Sequence, residues 1–405
     1  MTSARAARPT GMTELDDDAL AQLDAAVAGQ VLDRTPGAVW AVATDDRTHV
    51  GAAGRLDAGG RPMRRDSIVR IASMTKPLTA LAALMLVDEG RIGLDDPVDP
   101  WLPELADRRV LVPGATTLDQ TVPAERPITV RDLLTFRMGL GYDFSGRSAQ
   151  LTLGPLAAAG LVLGPPTPST MPTADRLMAI VGSVPLEHQP GSGWRYHLSA
   201  EVLGVLVERV TTERLGDVFQ ERITGPLGMH DTAFAVEPHR LDRFGDCWGS
   251  DPSTGVLAVW DTADGHWAGD PPLHSGGGGL VSTVDDVLRF GRCLLDGAVA
   301  PDGALLMSPA LVREMTTDQL TSEQRLDLDP EGREGWGFGV GVQVGTDDPT
   351  APAGSYGWTG GLGTVWRNDP ARRVTVVVLT NQMFTDPSLP LAIADGLRLA
   401  FAAVR

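Results

Sequence analysis

The chain has 405 residues, 42% of them hydrophobic and 21% charged, so it can bury a core and is not a disordered chain. Its 34 basic residues against 52 acidic ones give a formal net charge of −18, which argues against nucleic acid and anionic membranes as partners. The two cysteines, Cys247 and Cys293, are too few for a disulfide framework and lack metal-ligand spacing.

The beginning of the chain predicts a helix, a hairpin and a buried helix. No apolar run there has the length of a signal sequence, and no stretch of 18 apolar residues follows, so a cytoplasmic protein is expected. Apolar residues at helical spacing predict an amphipathic helix over 14–34, and two apolar segments predict a hairpin over 39–54. The almost wholly apolar body of 75–89 predicts a buried helix that stops at Gly90.

The middle of the chain has a different pattern, in which helices alternate with Pro/Gly-rich connections. Helices are predicted over 130–135, 173–181, 199–211 and 215–223. The connection over 154–172 contains five prolines and is expected to be an ordered loop or lid. Four consecutive glycines at 276–279 are not followed by the lysine of a P-loop, so a bend beside a cleft is favoured over anion binding.

The end of the chain returns to strands, which decides the predicted fold class. A helix is predicted over 283–295, strands over 335–344, 363–368 and 373–380, and a closing helix over 390–404. We therefore predict an α/β (α+β) fold, with an antiparallel sheet flanked by helices. Residues 1–93 and 272–405 are expected to form one α/β domain, and residues 94–271 a mostly helical inserted domain.

Lys76 is the only lysine in the chain. A general replacement of lysine by arginine explains the scarcity, but only lysine can lose its proton near neutral pH, so chemistry and chance remain equal explanations. Ser73 precedes Lys76 by three residues and shares its face of the first helical turn, where Pro77 is also tolerated. A neutral amine there can activate the serine hydroxyl, whereas a plain alternative is a helix N-cap beside a solvated lysine.

The Ser73-x-x-Lys76 motif before an apolar helix resembles the first motif of the serine β-lactamase and penicillin-binding superfamily. Further segments are similar to this superfamily in the same order along the chain: 128–135, 138–140, 190–196, 226–229, 277–283 and the Trp358-Thr359-Gly360-Gly361 run at the place of its K-T-G motif. Tyr196 leads the second motif, as in class C β-lactamases and their esterase relatives, and the chain most resembles family VIII carboxylesterases.

This resemblance implies the roles of the site residues. Ser73 would be the nucleophile, and Lys76 and Tyr196 would share the roles of general base and acid, with the phenol pKa lowered by the adjacent ammonium. The oxyanion hole would be formed by the backbone N–H groups of Ser73 and Gly361. Substrate would be bound by residues of the third motif and its surroundings: Trp358, Thr359, Gly360, Tyr142 and Leu198. His197 is expected to point away from the adjacent Tyr196 and to be part of a chain turn, with no catalytic role.

Two departures from the superfamily pattern favour esters as substrates. Trp358 replaces the lysine that holds a substrate carboxylate, and Leu198 replaces an asparagine amide. We therefore predict a cofactor-free serine hydrolase that cleaves small-molecule carboxylic esters through a covalent acyl-enzyme. The alternatives are a β-lactamase or D-amino-acid peptidase or amidase, an acyltransferase on the same scaffold, and a catalytically idle binding protein.

Overall fold

The computed structural model describes residues 13–146, 150–251, 253–345, 348–385 and 389–405, and predictions for residues 1–12 lie outside these ranges. The helices are α1 (Asp17–Asp33), α2 (Thr75–Asp88), α3 (Val130–Leu134), α4 (Leu153–Ala158), α5 (Ala174–Ser183), α6 (Leu198–Thr211), α7 (Leu215–Phe219), α8 (Gly225–Leu227), α9 (Val284–Leu295), α10 (Pro309–Met315), α11 (Ser322–Leu328) and α12 (Leu391–Ala402). The strands are β1 (Gly37–Ala43), β2 (Thr48–Gly54), β3 (Val69–Arg70), β4 (Arg109–Leu111), β5 (Thr121–Pro123), β6 (Cys247–Ser250), β7 (Leu257–Asp261), β8 (Val281–Ser282), β9 (Glu334–Trp336), β10 (Gly341–Gln343), β11 (Tyr356–Gly360), β12 (Thr364–Asp369) and β13 (Val374–Thr380).

A seven-stranded antiparallel sheet in the order β2-β1-β13-β12-β11-β10-β9 joins the two ends of the chain. The central strand β13 is rich in β-branched residues, which suit a pleated and buried surface. Its side chains alternate between two cores: Val376 packs with α1 and α12, whereas Val377 packs with α2 and α9. The predicted antiparallel sheet with helices on its faces is confirmed.

The middle of the chain carries α3 to α8 and two small hairpins, β4–β5 and β6–β7. The hairpins were not predicted, because their strands are short and partly exposed. The proline-rich segment 154–172 is not only a loop, since it contains most of α4 and a 3-10 turn at Pro168–Thr170. The domain boundaries at residues 93/94 and 271/272 stay a prediction.

The predicted single strand over 335–344 was wrong. It is a hairpin of β9 and β10 that reverses at Gly339, whose φ of 72° favours glycine. The prediction failed because residues 335–343 are all buried, so no alternation of buried and exposed positions marks the reversal.

Helix α2 lies in the core and positions the candidate site at its first turn. Its residues from Thr75 to Leu86 are all buried, in agreement with the predicted buried helix. A 3-10 turn over Ala72–Met74 leads into it, and Ala72 has a φ of 43°, an uncommon value for a residue other than glycine. In the described ranges, no helix combines the length and apolar character needed to cross a bilayer.

Candidate active site

Ser73 and Lys76 meet at the start of α2, as their spacing predicts. The Lys76 Nζ lies 2.9 Å from the Ser73 Oγ, and it also donates to the carbonyl oxygen of Gly277 at 2.6 Å. Ser73 is partly exposed, whereas only 1% of Lys76 is exposed. The site therefore combines a reachable hydroxyl with an amine that is removed from water.

Burial changes the protonation state of Lys76. Because an ammonium ion loses its hydration in the core, desolvation lowers the pKa of Lys76 to about 7, although the Glu201 carboxylate acts in the opposite direction. A substantial fraction of neutral amine is thus present at neutral pH. Such an amine has a lone pair with which to take the proton of Ser73.

Tyr196 reaches the same place from a distant part of the chain. Its backbone pairs with that of Tyr142 through two hydrogen bonds of 2.9 and 3.0 Å. Its ring lies under Lys76, with the Nζ 4.5 Å from the ring centroid, and its hydroxyl has a hydrogen bond with Ser73. The ring packs against other aromatic side chains: Phe136, Phe144, Trp194, Trp336 and Trp358.

The predicted lowering of the Tyr196 pKa was wrong. Burial raises the pKa of this phenol well above 10, and hydrogen bonds with Ser73 and Trp358 only partly offset the effect. The Lys76 amine faces the ring and is mostly neutral above pH 7, so no ammonium stabilises the phenolate. Tyr196 is therefore a proton donor in the resting site.

Trp358 has a role that the sequence did not predict. Its indole Nε1 donates a hydrogen bond of 2.7 Å to the Tyr196 hydroxyl oxygen, and only 5% of the residue is exposed. An indole N–H donates but carries no charge, so it orients the phenol and lowers its pKa too little to offset burial. The predicted apolar face for substrate is largely covered by packing, with Trp336 at 4.6 Å between ring centroids.

The end of β11 passes close to the turn that carries Ser73. A Cβ on Gly360 would collide with the carbonyl oxygen of Ile71, so only glycine permits this approach. Gly361 follows directly and is exposed, while its own carbonyl accepts from Phe384. This proximity is what an oxyanion hole formed by the N–H groups of Ser73 and Gly361 requires.

The remaining predicted substrate residues differ in their accessibility. Thr359 is partly exposed on β11, and Tyr142 is partly exposed beside Tyr196, with a pKa that burial raises. Leu198 is fully buried in the main core at the first position of α6. Its burial disfavours the predicted contact with substrate, because the adjoining turn directs this side chain inward.

His197 lies in a chain turn, as expected, but the expectation that its side chain points away from Tyr196 was wrong. His197 has φ 79° and ψ −62°, and the Leu198 N–H donates to the Tyr196 carbonyl at 3.1 Å, which is a strained γ-turn. The turn brings both Tyr196 and His197 to Lys76, and the His197 Nδ1 lies 3.3 Å from the Lys76 Nζ. The prediction assumed extended backbone, in which neighbouring side chains diverge.

The glycine run 276–279 is a place of close backbone packing. A Cβ on Gly276 would lie 2.6 Å from the Ala200 carbonyl oxygen, and one on Gly277 would lie 2.5 Å from a Glu201 carboxylate oxygen. The run lies against α2, where Thr79 donates to the Gly276 carbonyl at 2.8 Å. The glycines thus allow the backbone to supply an acceptor to Lys76.

Comparisons with known proteins agree with this arrangement. A protein-family model described as Beta-lactamase matches residues 23–399. Protein Rv1367c of Mycobacterium tuberculosis is 39% identical over 86% of each chain, and Esterase EstB of Burkholderia gladioli is 34% identical over 83% of this chain and 82% of its own. The solved structure of "EstCE1, a hydrolase with promiscuous acyltransferase activity" superimposes with a TM-score of 0.77 at 27% identity, covering 94% of this chain and 99% of that one.

Proposed function

Because the chain belongs to the Beta-lactamase family, we propose that it is a serine hydrolase that cleaves carboxylic esters through a covalent acyl-enzyme. The observation that carries the proposal is the 2.9 Å contact between the partly exposed Ser73 hydroxyl and a buried amine with a pKa of about 7. An esterase among the relatives, together with tryptophan at the place of the K-T-G lysine, favours esters over β-lactams within this family.

In the first half of the reaction, the Ser73 O–H bond breaks as its proton moves to the Lys76 Nζ and the Oγ bonds to the ester carbonyl carbon. The backbone N–H groups of Ser73 and Gly361 donate hydrogen bonds to the carbonyl oxygen and stabilise the negative charge that develops on it. The C–O bond to the leaving alcohol then breaks. The alkoxide takes a proton from Tyr196, which Lys76 in turn reprotonates.

In the second half, a water molecule attacks the acyl carbon, and its proton passes to the neutral Lys76. Ser73 leaves and recovers a proton, so the enzyme ends as it began and a carboxylic acid is released. An alcohol in the place of water gives transesterification by the same steps. The promiscuous acyltransferase activity ascribed to EstCE1 favours this as a second activity.

A fluorophosphonate probe and a p-nitrophenyl ester test the proposal together. We expect the probe to add its mass to the peptide that contains Ser73, and Ser73→Ala to lose the label and at least about 10³-fold in kcat. Circular dichroism and Tm should be close to those of the wild type, because Ser73 is partly exposed. Unchanged hydrolysis by folded Ser73→Ala would overturn the assignment.

A further inference from the structure

A row of polar groups continues from the Ser73–Lys76 pair into the core. The Lys76 Nζ lies 3.3 Å from the His197 Nδ1, and the His197 Nε2 lies 3.3 Å from the Glu201 Oε1. The Ser275 hydroxyl donates to the same Glu201 oxygen at 2.6 Å. Only 2% of Glu201 is exposed, so this row ends deep inside the molecule.

The chemistry of Glu201 decides which nitrogen of His197 carries the proton. An ionised carboxylate only accepts hydrogen bonds, so the Nε2 that faces it is the protonated one. Hydrogen bonds from His197 and Ser275 outweigh burial and hold the pKa of Glu201 below its usual value, in favour of the carboxylate. Burial and the neighbouring Lys76 lower the pKa of His197, so the imidazole is neutral and its Nδ1 is an acceptor.

With this tautomer of His197, each N–H bond of the neutral Lys76 amine has a hydrogen-bond acceptor. A neutral amine has two N–H bonds and one lone pair. The carbonyl oxygen of Gly277 and the Nδ1 of His197 are acceptors for the two N–H bonds, at 2.6 and 3.3 Å. Among the described residues, the remaining neighbour at hydrogen-bond distance is the Ser73 Oγ at 2.9 Å, and it meets the lone pair.

We propose that His197 and Glu201 are positioning residues that aim the lone pair of Lys76 at the Ser73 hydroxyl. The inference rests on the proposed function. It adds two residues that orient Lys76 and stabilise its ammonium form from the side opposite Ser73. When Lys76 takes the proton of Ser73, the new ammonium keeps both hydrogen-bond acceptors. The negative charge of Glu201, on the other side of the imidazole, stabilises this ammonium. The proton does not move on to His197, which changes neither its charge nor its tautomer.

The backbone of His197 supports a functional role for this contact. A γ-turn with positive φ is strained, and such strain persists where the surrounding structure imposes it. The Cβ that Gly277 lacks would lie 3.1 Å from the His197 Cε1, so the glycine run leaves room for the ring. The turn thus directs the imidazole towards Lys76, and the glycine run leaves the space that this contact needs.

Because Lys76 is the only lysine, its protonation can be measured without an assay of enzymatic activity. Protein labelled with [ε-13C]lysine carries the label at one side chain only, so its NMR titration reports Lys76 directly. The groups that face the amine are Ser73 at the start of its own helix, Tyr196, His197 and Glu201 around the start of α6, and the Gly277 carbonyl. We expect a midpoint near pH 7 in the wild type.

Removal of either positioning residue should lower that midpoint. His197→Ala deletes an acceptor of the ammonium and Glu201→Gln deletes the opposing charge, so each is expected to shift it down by about one pH unit. His49→Ala is the matched control, because His49 lies on the edge strand β2 and contacts the Asp24 carboxylate at 2.8 Å. A midpoint that stays within error in both site variants overturns the inference.

Kinetics separate positioning from a merely structural role. His197→Ala is expected to lower kcat about 100-fold with KM nearly unchanged, since a misplaced base slows the chemical step. His197→Asn keeps an acceptor at the position of Nδ1 and should recover about tenfold of the loss. Equal kcat in the wild type and His197→Ala contradicts the proposal, and absence of Ser73 labelling in the wild type contradicts the proposed function instead.

Discussion

Two buried basic side chains, Arg70 and Lys76, lie six residues apart in this chain and behave in opposite ways. Arg70 forms a direct ion pair with Asp261, with its Nε 2.7 Å from the Oδ2, and it also donates to two backbone carbonyls. Lys76 contacts a neutral imidazole, and its carboxylate, Glu201, lies on the far side of that ring. One site is an ion pair in direct contact, and the other is a base.

The difference shows what makes a buried cation reactive. A guanidinium has a much higher ordinary pKa than an ammonium, and Arg70 donates directly to the Asp261 carboxylate, so Arg70 stays charged even though burial lowers its pKa. An ammonium starts lower, and because Lys76 meets its carboxylate only through an imidazole, it gives up its proton near neutral pH. Variants at both sites and at Trp358, the hydrogen-bond donor to the neighbouring phenol, test this contrast, beginning with the most damaging one.

Replacing the base with the group found at Arg70 should abolish the reaction. Lys76→Arg is expected to lower kcat about 10³-fold, because a guanidinium has no available lone pair. Lys76→Met, which has similar bulk but no amine, should lose as much. In the wild type, kcat/KM should fall tenfold per pH unit below about 7, as protonation removes the neutral base. More than a tenth of wild-type kcat in Lys76→Arg would contradict the role of the amine.

Removing the charge opposite Arg70 should affect stability rather than chemistry. Asp261→Asn leaves a buried guanidinium without its counter-ion and is expected to lower the free energy of unfolding by about 3 kcal/mol. The control is Asp285→Asn, which breaks the more exposed Arg65 pair and should cost less than about 1 kcal/mol. Denaturant unfolding measures both. Equal losses would mean that the buried ion pair contributes no more to the free energy of unfolding than the exposed one.

A smaller loss of kcat is expected when the hydrogen-bond donor to Tyr196 is removed. Trp358→Phe keeps an aromatic ring but removes the N–H that reaches the phenol oxygen, so kcat should fall about tenfold. The acidic limb of the pH profile should not move, because Lys76 keeps its contacts. Trp336→Phe is the control, since its Nε1 donates to the Leu134 carbonyl instead. A shift of the acidic limb in Trp358→Phe would show that Trp358 acts on Lys76.

Several elements were predicted well because they depend on local pattern. The apolar body of α2 and the β-branched β13 formed as expected, and so did the hairpin of β1 and β2. The hairpin of β9 and β10 was missed, because buried segments show no alternation by which to place a reversal. The site followed the same rule: Ser73 and Lys76 were found by their spacing, whereas the contact of His197 was not.

The pairing of Ser73 with Lys76 could be predicted from the chain alone, because residues three apart in a helical turn must share a face. Tyr196 could also be indicated, through the resemblance to a known family. The raised pKa of Tyr196 and the partner of each polar atom came from the folded molecule instead. They depend on desolvation and on contacts such as that between Lys76 and His197, which are 121 positions apart in the chain. Such contacts depend on how distant elements pack, and a local pattern of residues carries no record of that packing.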